Sequence, residues 1–240
     1  MNTSFWFQKW NAREIGFHQP EANPLLTDHF STLSLPAGSR VLVPLCGKTP
    51  DMRWLLSQTY QVAGVELVET AVEEFFEESR LEPAVSKLSA SEPSEPSVYE
   101  PSVSNPDASE KHGGSQAAMQ RYHGEGIDLF AGDFFALSPE QLGPVDAAYD
   151  RAALVALPEE MRSRYADHLK ALVDQSPQLL ITFRYDQSKM EGPPFSICPE
   201  ELKRLYGDTY DITRQASVEV PGGLKGRCPA REEAWTLRPK

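Results

Sequence analysis

The stretch Arg40-Val41-Leu42-Val43-Pro44-Leu45-Cys46-Gly47-Lys48-Thr49, followed by Gln61-Val62-Ala63-Gly64-Val65-Glu66-Leu67, decides the fold. Each half carries a short continuous apolar run of the kind found in strands buried on both faces of a parallel sheet. Between them Asp51 to Ser57 reads as a helix, which makes a strand–helix–strand unit. Working outward, Glu69 to Ser79 predicts a second helix, with Val68, Ala71, Val72, Phe75 and Phe76 on one face at helical spacing. Ile127 to Ala131, Val145 to Tyr149 and Leu179 to Phe183 are three further strand candidates. Pro158, followed by Met161, Tyr165, Leu169, Leu172 and Val173, predicts a helix with proline in its first turn. Tyr210 to Val220 and Glu233 to Leu237 alternate and predict a closing antiparallel hairpin. Strands alternating with helices argue for an α/β fold with a mainly parallel sheet. In such sheets ligands gather beyond the C-terminal strand ends.

Composition narrows the function. The chain has 240 residues, 40 % hydrophobic and 24 % charged, enough for one sizeable domain spanning 1–240. With 35 carboxylates against 23 Lys plus Arg the net charge is −12. That sign opposes nucleic acid and anionic membrane surfaces and favours a small-molecule partner. No apolar run reaches the roughly 18 residues of a membrane span. Met1 to Trp10 lacks a basic region followed by an apolar stretch, so no secretory signal is expected. Cys46, Cys198 and Cys228 form neither a CxxC pair nor a metal-spaced cluster. No metal is expected, and free thiols suit a cytoplasmic setting. A monomer is expected.

Between Ser86 and Ser115, Ser, Pro and Glu supply seventeen of thirty residues. Such a stretch cannot bury enough apolar surface to offset the entropy of ordering. Residues 87–119 are therefore read as a disordered insertion in a surface loop; a docking tail or lid is the functional alternative.

The turn after the first strand has Gly47-Lys48-Thr49, but a phosphate-binding loop needs glycine where Leu42 stands. A dinucleotide fingerprint fails because Gly47 is the only glycine in the turn. A ligand that needs the backbone close by but brings no pyrophosphate remains, and S-adenosylmethionine fits; an ordinary strand-to-helix connection fits as well. Glu66 ends the second strand about twenty residues on, where doubly wound nucleotide folds place an acid for the ribose hydroxyls. Its alternative is a solvent-facing strand end. Asp133 and Phe134 follow the third strand and suit an adenine amino group and ring, or a helix cap. Arg151 follows the fourth strand, and a buried arginine there needs a carboxylate. Asp150 would supply it structurally, and a ligand carboxylate or an anionic substrate functionally. Trp6 and Trp10 stand at i, i+4 and cover either the domain or the cofactor pocket, for which residues 1–35 form the cover. Gly192-Pro193-Pro194-Phe195 reads as a stiff loop, either one wall of an apolar pocket or a simple turn.

Taken together, FWFQKW, GFHQPEANPLL, VLVPLCGKTPDMRWL, VAGVEL, GDFFAL, YDRAALVALPEEMRSRYADHL and GPPF resemble bacterial thiopurine S-methyltransferases, from about Phe5 to the C-terminal strands. The resemblance implies the class I methyltransferase (Rossmann-like) fold: a seven-stranded, mostly parallel sheet with an antiparallel last strand and helices on both faces. It implies S-adenosylmethionine as cofactor, with Trp10, Leu45, Glu66 and Arg151 as main contacts and Trp6, Asp133 and Phe134 completing the pocket. Phe17 would face the acceptor, with Pro194 and Arg151 close by. The implied acceptor is a small aromatic or heterocyclic thiol, with a selenium or tellurium species or an endogenous thiol as alternatives. Outside the class stand a nicotinamide-dependent oxidoreductase, which lacks its glycine-rich turn here, and a non-catalytic cofactor-binding module. An acceptor that arrives ionised needs no strong base, which agrees with the lack of a visible His–acid pair. Residues 87–119 and Val220 to Arg231 depart from the family pattern.

Overall fold

The computed structural model describes residues 3–14, 19–88 and 119–240. Five parallel strands form the centre of one sheet: β1 (Arg40–Pro44), β2 (Gln61–Glu66), β5 (Ile127–Ala131), β6 (Ala147–Arg151) and β7 (Gln178–Tyr185). Two antiparallel pairs extend it, β3 (Ala84–Lys87) with β4 (Gln120–Gly124) beside β5, and β8 (Tyr210–Glu219) with β9 (Ala230–Pro239) beside β7. The order is β3-β4-β5-β2-β1-β6-β7-β9-β8.

The expected mostly parallel sheet with an antiparallel last strand is present. The strand count is corrected, because nine strands stand among the described residues instead of seven. The two additions are β3 and β4. All four residues of β3 are exposed, so no apolar pattern marks it. Lys87, assigned from sequence to the inserted stretch, ends β3, and the Leu88 N–H donates to the Met119 carbonyl at 2.8 Å. The Ser/Glu/Pro-rich residues 89–118 lie outside the described residues, between the two strands of this hairpin.

The central strands are apolar on both faces because helices cover both. On one side α5 (Pro139–Leu142), α6 (Glu159–Leu172) and α7 (Pro199–Tyr206) pack through Leu142, Tyr165, Leu169, Leu202 and Tyr206 onto Leu42, Val65 and Leu180. On the other, α2 (Pro24–His29), α3 (Pro50–Ser57) and α4 (Glu69–Ser79) bring Leu26, Met52, Val72 and Phe75 onto Val41, Val43 and Leu179. The period-2 alternation of each strand thus feeds two cores at once. Gly64 of β2 lets these layers close, since a Cβ there would stand 2.6 Å from a Leu129 methyl and 2.8 Å from the Cys46 sulfur.

The chain runs from β1 through α3 to β2 on one side, whereas β6 lies on the other side of β1. The crevice where strand order reverses therefore opens at the C-terminal ends of β1 and β6. Two residues without glycine's freedom adopt left-handed backbone at those ends, Leu45 (φ +46°) and Ala152 (φ +63°). Each such conformation costs on the order of 1–3 kcal/mol and persists where the surroundings impose it, most often at functional sites.

Candidate functional site

Glu66, the last residue of β2, is 7 % exposed. One carboxylate oxygen accepts the Gly47 N–H and the other the Val68 N–H, both at 2.8 Å. The side chain thus ties the turn after β1 to the turn after β2. Burial pushes its pKa above the ordinary carboxylate value, against those backbone donors. A carboxylate has about four lone-pair sites, so acceptor capacity remains for a ligand. Gly47 has φ +52°, and a Cβ there would meet the Trp10 ring at 3.2 Å. The turn is glycine because an indole lies against it.

That indole belongs to α1 (Thr3–Asn11). Trp10 is buried with Val68 and Ala71, and Trp6 and Leu67 pack against the same cluster. The i, i+4 pair expected from sequence therefore shares one face and meets the end of β2. Arg13 reaches Glu74 of α4 at 2.6 Å, and Lys48 reaches Glu74 at 2.8 Å and Glu78 at 2.5 Å. These pairs give Lys48 two carboxylates within the fold. In the last turn of α1, Lys9 is one of the cations that, after burial and Arg227, lower the Lys225 pKa. Phe17 lies outside the described residues.

Leu45, Leu67, Asp133, Phe134, Leu157 and Tyr165 line a cavity on the α6 side of the crevice. Three residues singled out from sequence, Leu45, Asp133 and Phe134, meet there. Phe134 is held by Tyr165 and His168, with ring centroids at 5.0 and 4.9 Å. The Phe134 carbonyl faces the His168 ring nitrogen at 2.9 Å, and burial lowers the His168 pKa, so the ring is neutral and donates. Asp133 is exposed, and one oxygen caps the following turn by accepting the Phe135 N–H at 3.0 Å. Asp133 thus caps the turn and also lines the cavity.

Arg151 lies at the end of β6 with 10 % of its side chain exposed. The expectation that Asp150 could partner it is corrected: side chains alternate across the sheet, so the two leave on opposite faces. Asp150 accepts from the Tyr165 hydroxyl at 2.7 Å and the Leu154 N–H at 3.2 Å, and burial raises its pKa to about 6. Arg151 instead meets Asp51 of α3, with Nη1–Oδ2 at 3.5 Å. Asp51 is fully buried and also accepts the Asn23 N–H at 2.8 Å and the Tyr149 hydroxyl at 3.0 Å. The Asn23 side-chain amide donates in turn to Glu232 of β9 at 3.0 Å. Asp51, Asn23 and Glu232 were not singled out from sequence. An acid in a first helical turn reads as an ordinary dipole partner, and Asn23 and Glu232 are 209 positions apart.

A second buried arginine, Arg162, shows what a spent guanidinium looks like. It donates to the Leu157 carbonyl at 2.9 Å and to both Glu201 oxygens at 2.8 Å. Arg151 has five N–H donors and, among the described residues, one contact longer than a good hydrogen bond.

The loop holding Pro194 is drawn over β6 and β7. The Phe195 N–H donates to the Val155 carbonyl at 2.6 Å, the Tyr185 hydroxyl to the Pro194 carbonyl at 2.7 Å, and Lys225 to the Pro193 carbonyl at 2.7 Å. The segment Val220 to Arg231, read from sequence as departing from the family pattern, thereby touches the proline loop through Lys225. No metal-ligating cluster occurs among the described residues, and none of their helices is long and apolar enough to cross a membrane.

Solved structures with this fold include the Burkholderia thailandensis 1,6-didemethyltoxoflavin-N1-methyltransferase, crystallised with 1,6-didemethyltoxoflavin and S-adenosylhomocysteine. Its TM-score is 0.59 at 15 % identity, over 98 % of this chain and 87 % of that one. Magnesium protoporphyrin IX methyltransferase from Synechocystis, solved with S-adenosylhomocysteine, gives 0.55 at 15 % identity over 98 % and 95 %. At such identities the likeness shows the class I methyltransferase fold alone. Sequence relatives say more. Thiopurine S-methyltransferase from Xanthobacter autotrophicus is 46 % identical over 238 residues, covering 99 % of each chain. The Acinetobacter baylyi enzyme of that name is 42 % identical over 241 residues, covering both chains entirely. The model of the family Thiopurine S-methyltransferase (TPMT) matches residues 1–100 and 97–227. With end-to-end relatives on one side and the strand-end crevice on the other, the chain belongs to the thiopurine S-methyltransferase family.

Proposed function

We propose that this chain is an S-adenosylmethionine-dependent methyltransferase acting on the sulfur of a small aromatic or heterocyclic thiol. Family membership supports this reading, and the observation that carries it is the unspent guanidinium of Arg151 at the strand-order reversal, beside Leu45 and Ala152 in strained backbone. The residues fit the cofactor. Glu66 has acceptor capacity left for ribose hydroxyls, Asp133, Phe134 and Leu45 line a cavity for a flat ring, and Arg151 has donors left for a carboxylate or an anionic acceptor. Trp6 and Trp10 of α1 form the cover that excludes water.

When bound, the cofactor supplies an electrophilic methyl group and leaves as a neutral thioether. The chain has no leaving group to protonate, so its work is alignment and desolvation. Arg151 orients the acceptor; Pro194, fixed through Tyr185 and Val155, forms one wall of its pocket. The expected partners are small molecules, and the protein is expected to be a cytoplasmic monomer. Incubation with methyl-labelled cofactor and a panel of aromatic thiols, selenols and alcohols, read by product mass, tests the reading. Label on the sulfur of heterocyclic thiols is expected. Cofactor binding without transfer to any acceptor would instead identify a non-catalytic binding module.

A further inference from the structure

Two carboxylates lie near Arg151, Asp51 in contact with it and Glu232 linked to Asp51 through Asn23, and they are not equivalent. Asp51 is fully buried, and its oxygens are taken by the Asn23 N–H, the Tyr149 hydroxyl and Arg151 itself. Glu232 is partly exposed and, among the described residues, receives one hydrogen bond, from the Asn23 side chain at 3.0 Å. Asn23 cannot move to serve another partner. It is 1 % exposed, its own carbonyl oxygen caps α2 through the Leu25 N–H at 2.8 Å, and its backbone N–H is bound to Asp51. The groups around Glu232 are thus Arg151 from β6, Asp51 from α3 and Asn23 before α2, with Phe183 of β7 and Val218 of β8 opposite it in the sheet.

Resting on the thiol-methyltransferase reading, we infer that Glu232 is the base that takes the proton from the acceptor's S–H, or from the N–H of its thione tautomer, as the methyl group is transferred. The charge count explains why a base is wanted here. Arg151, Asp51 and ionised Glu232 sum to −1. A thiolate entering from solvent would bring this half-buried cluster to −2, at a desolvation cost. A neutral thiol leaves the sum at −1 on entry, and its proton then neutralises Glu232 as the sulfur pair turns to the methyl carbon. Burial holds the Glu232 pKa above the ordinary carboxylate value, against the pull of Arg151, which suits a proton acceptor near neutral pH. In the step, the acceptor S–H bond breaks and its proton goes to a Glu232 oxygen. The sulfur pair forms the new S–CH3 bond, and the pair of the broken sulfonium S–CH3 bond stays on the departing thioether. Glu232 then releases the proton to water.

The test compares wild type and Glu232→Gln on two acceptors, a nitrothiophenol ionised at neutral pH and benzyl thiol, which is largely protonated there. Glu232→Gln should lower kcat/KM for benzyl thiol by about a hundredfold, the usual scale of a general base, and for the nitrothiophenol by less than about threefold. In wild type, kcat/KM for benzyl thiol should show an acid limb above the ordinary carboxylate range that the nitrothiophenol lacks. An equal loss on both thiols, or none on either, would overturn the proposal. So would a wild-type benzyl thiol profile without an acid limb, which needs no variant to fold. Wild type that methylates no thiol would overturn the functional reading and this inference with it, whereas acceptor-independent loss in an active enzyme removes only the inference.

Discussion

At the N-terminal ends of the central strands, Asp128 of β5 meets Arg40 of β1 at 2.9 Å, Arg121 at 2.7 Å and His123 at 2.8 Å. At the C-terminal ends, Glu66 is held by two backbone N–H groups, Asp150 by a tyrosine and backbone, and Glu232 by one asparagine. The consequences run in opposite directions. Burial alone would raise the Asp128 pKa, but hydrogen bonds from His123 and Arg121 and the charges of Arg121 and Arg40 together pull it below its ordinary value. At the other end burial prevails and pushes Glu66, Asp150 and Glu232 upward. One end is neutralised from within. The other keeps acids poised and an arginine with donors to spare, an arrangement that perturbed groups at functional sites commonly show.

The largest effect is expected at Glu66. Removing it as Glu66→Ala leaves the Gly47 and Val68 N–H groups without their acceptor, at about 1–3 kcal/mol each. It also removes the acceptor for the ribose hydroxyls. Chemical denaturation and calorimetry on that variant should show loss of stability together with at least tenfold weaker cofactor binding.

Asp150 sharpens the contrast through pH. Burial lifts its folded pKa to about 6, above the ordinary aspartate value of 3.8. The native state therefore holds the proton more tightly, and this contribution to stability is complete below the unfolded value and is lost as pH rises through about 6. A shift of about two units corresponds to about 3 kcal/mol. Relative to wild type, Asp150→Asn should gain stability by roughly that amount between about pH 4 and pH 7, measured by urea titrations at each pH. A constant difference across the range would contradict the buried, proton-hungry setting.

Asp128 should behave in reverse. Its folded pKa is depressed, so its contribution is present above the unfolded value and is lost as pH falls through the folded one. Asp128→Asn should cost about 1–2 kcal/mol at neutral pH, shrink toward acid, and leave cofactor binding unchanged. The smallest effect is expected at the hairpin. Replacing residues 89–118 by Asn-Gly joins Leu88 to Met119 through a two-residue turn that antiparallel strands favour. Melting temperature and methyl transfer should stay close to wild type; a collapse of either would show that the inserted stretch packs on the domain.

The parallel centre was legible because buried parallel strands are continuous apolar runs: Glu69–Ser79 and Ile127–Ala131 coincide with α4 and β5 residue for residue. The edge pair β3–β4 was not, since Ala84–Lys87 faces solvent along its length and Gln120–Gly124 buries only Tyr122 and Gly124. Helices α2 and α7 are short, though both start with proline in the first turn, and α2 has an asparagine cap. Glu66 and Arg151 stood out because a charged residue ends an apolar strand. Asp51, Asn23 and Glu232 did not, because they function only where α3, the approach to α2 and β9 converge, and no local spacing records that.

A calorimetric titration with S-adenosylhomocysteine, run on wild type, Glu66→Gln and Asp128→Asn, each checked for a folded circular-dichroism spectrum, bears most directly on the strand-end crevice. Binding to wild type and Asp128→Asn with equal affinity, and at least tenfold weaker binding to Glu66→Gln, is the predicted result. Equal affinity in all three, or a loss shared by both variants, would contradict it.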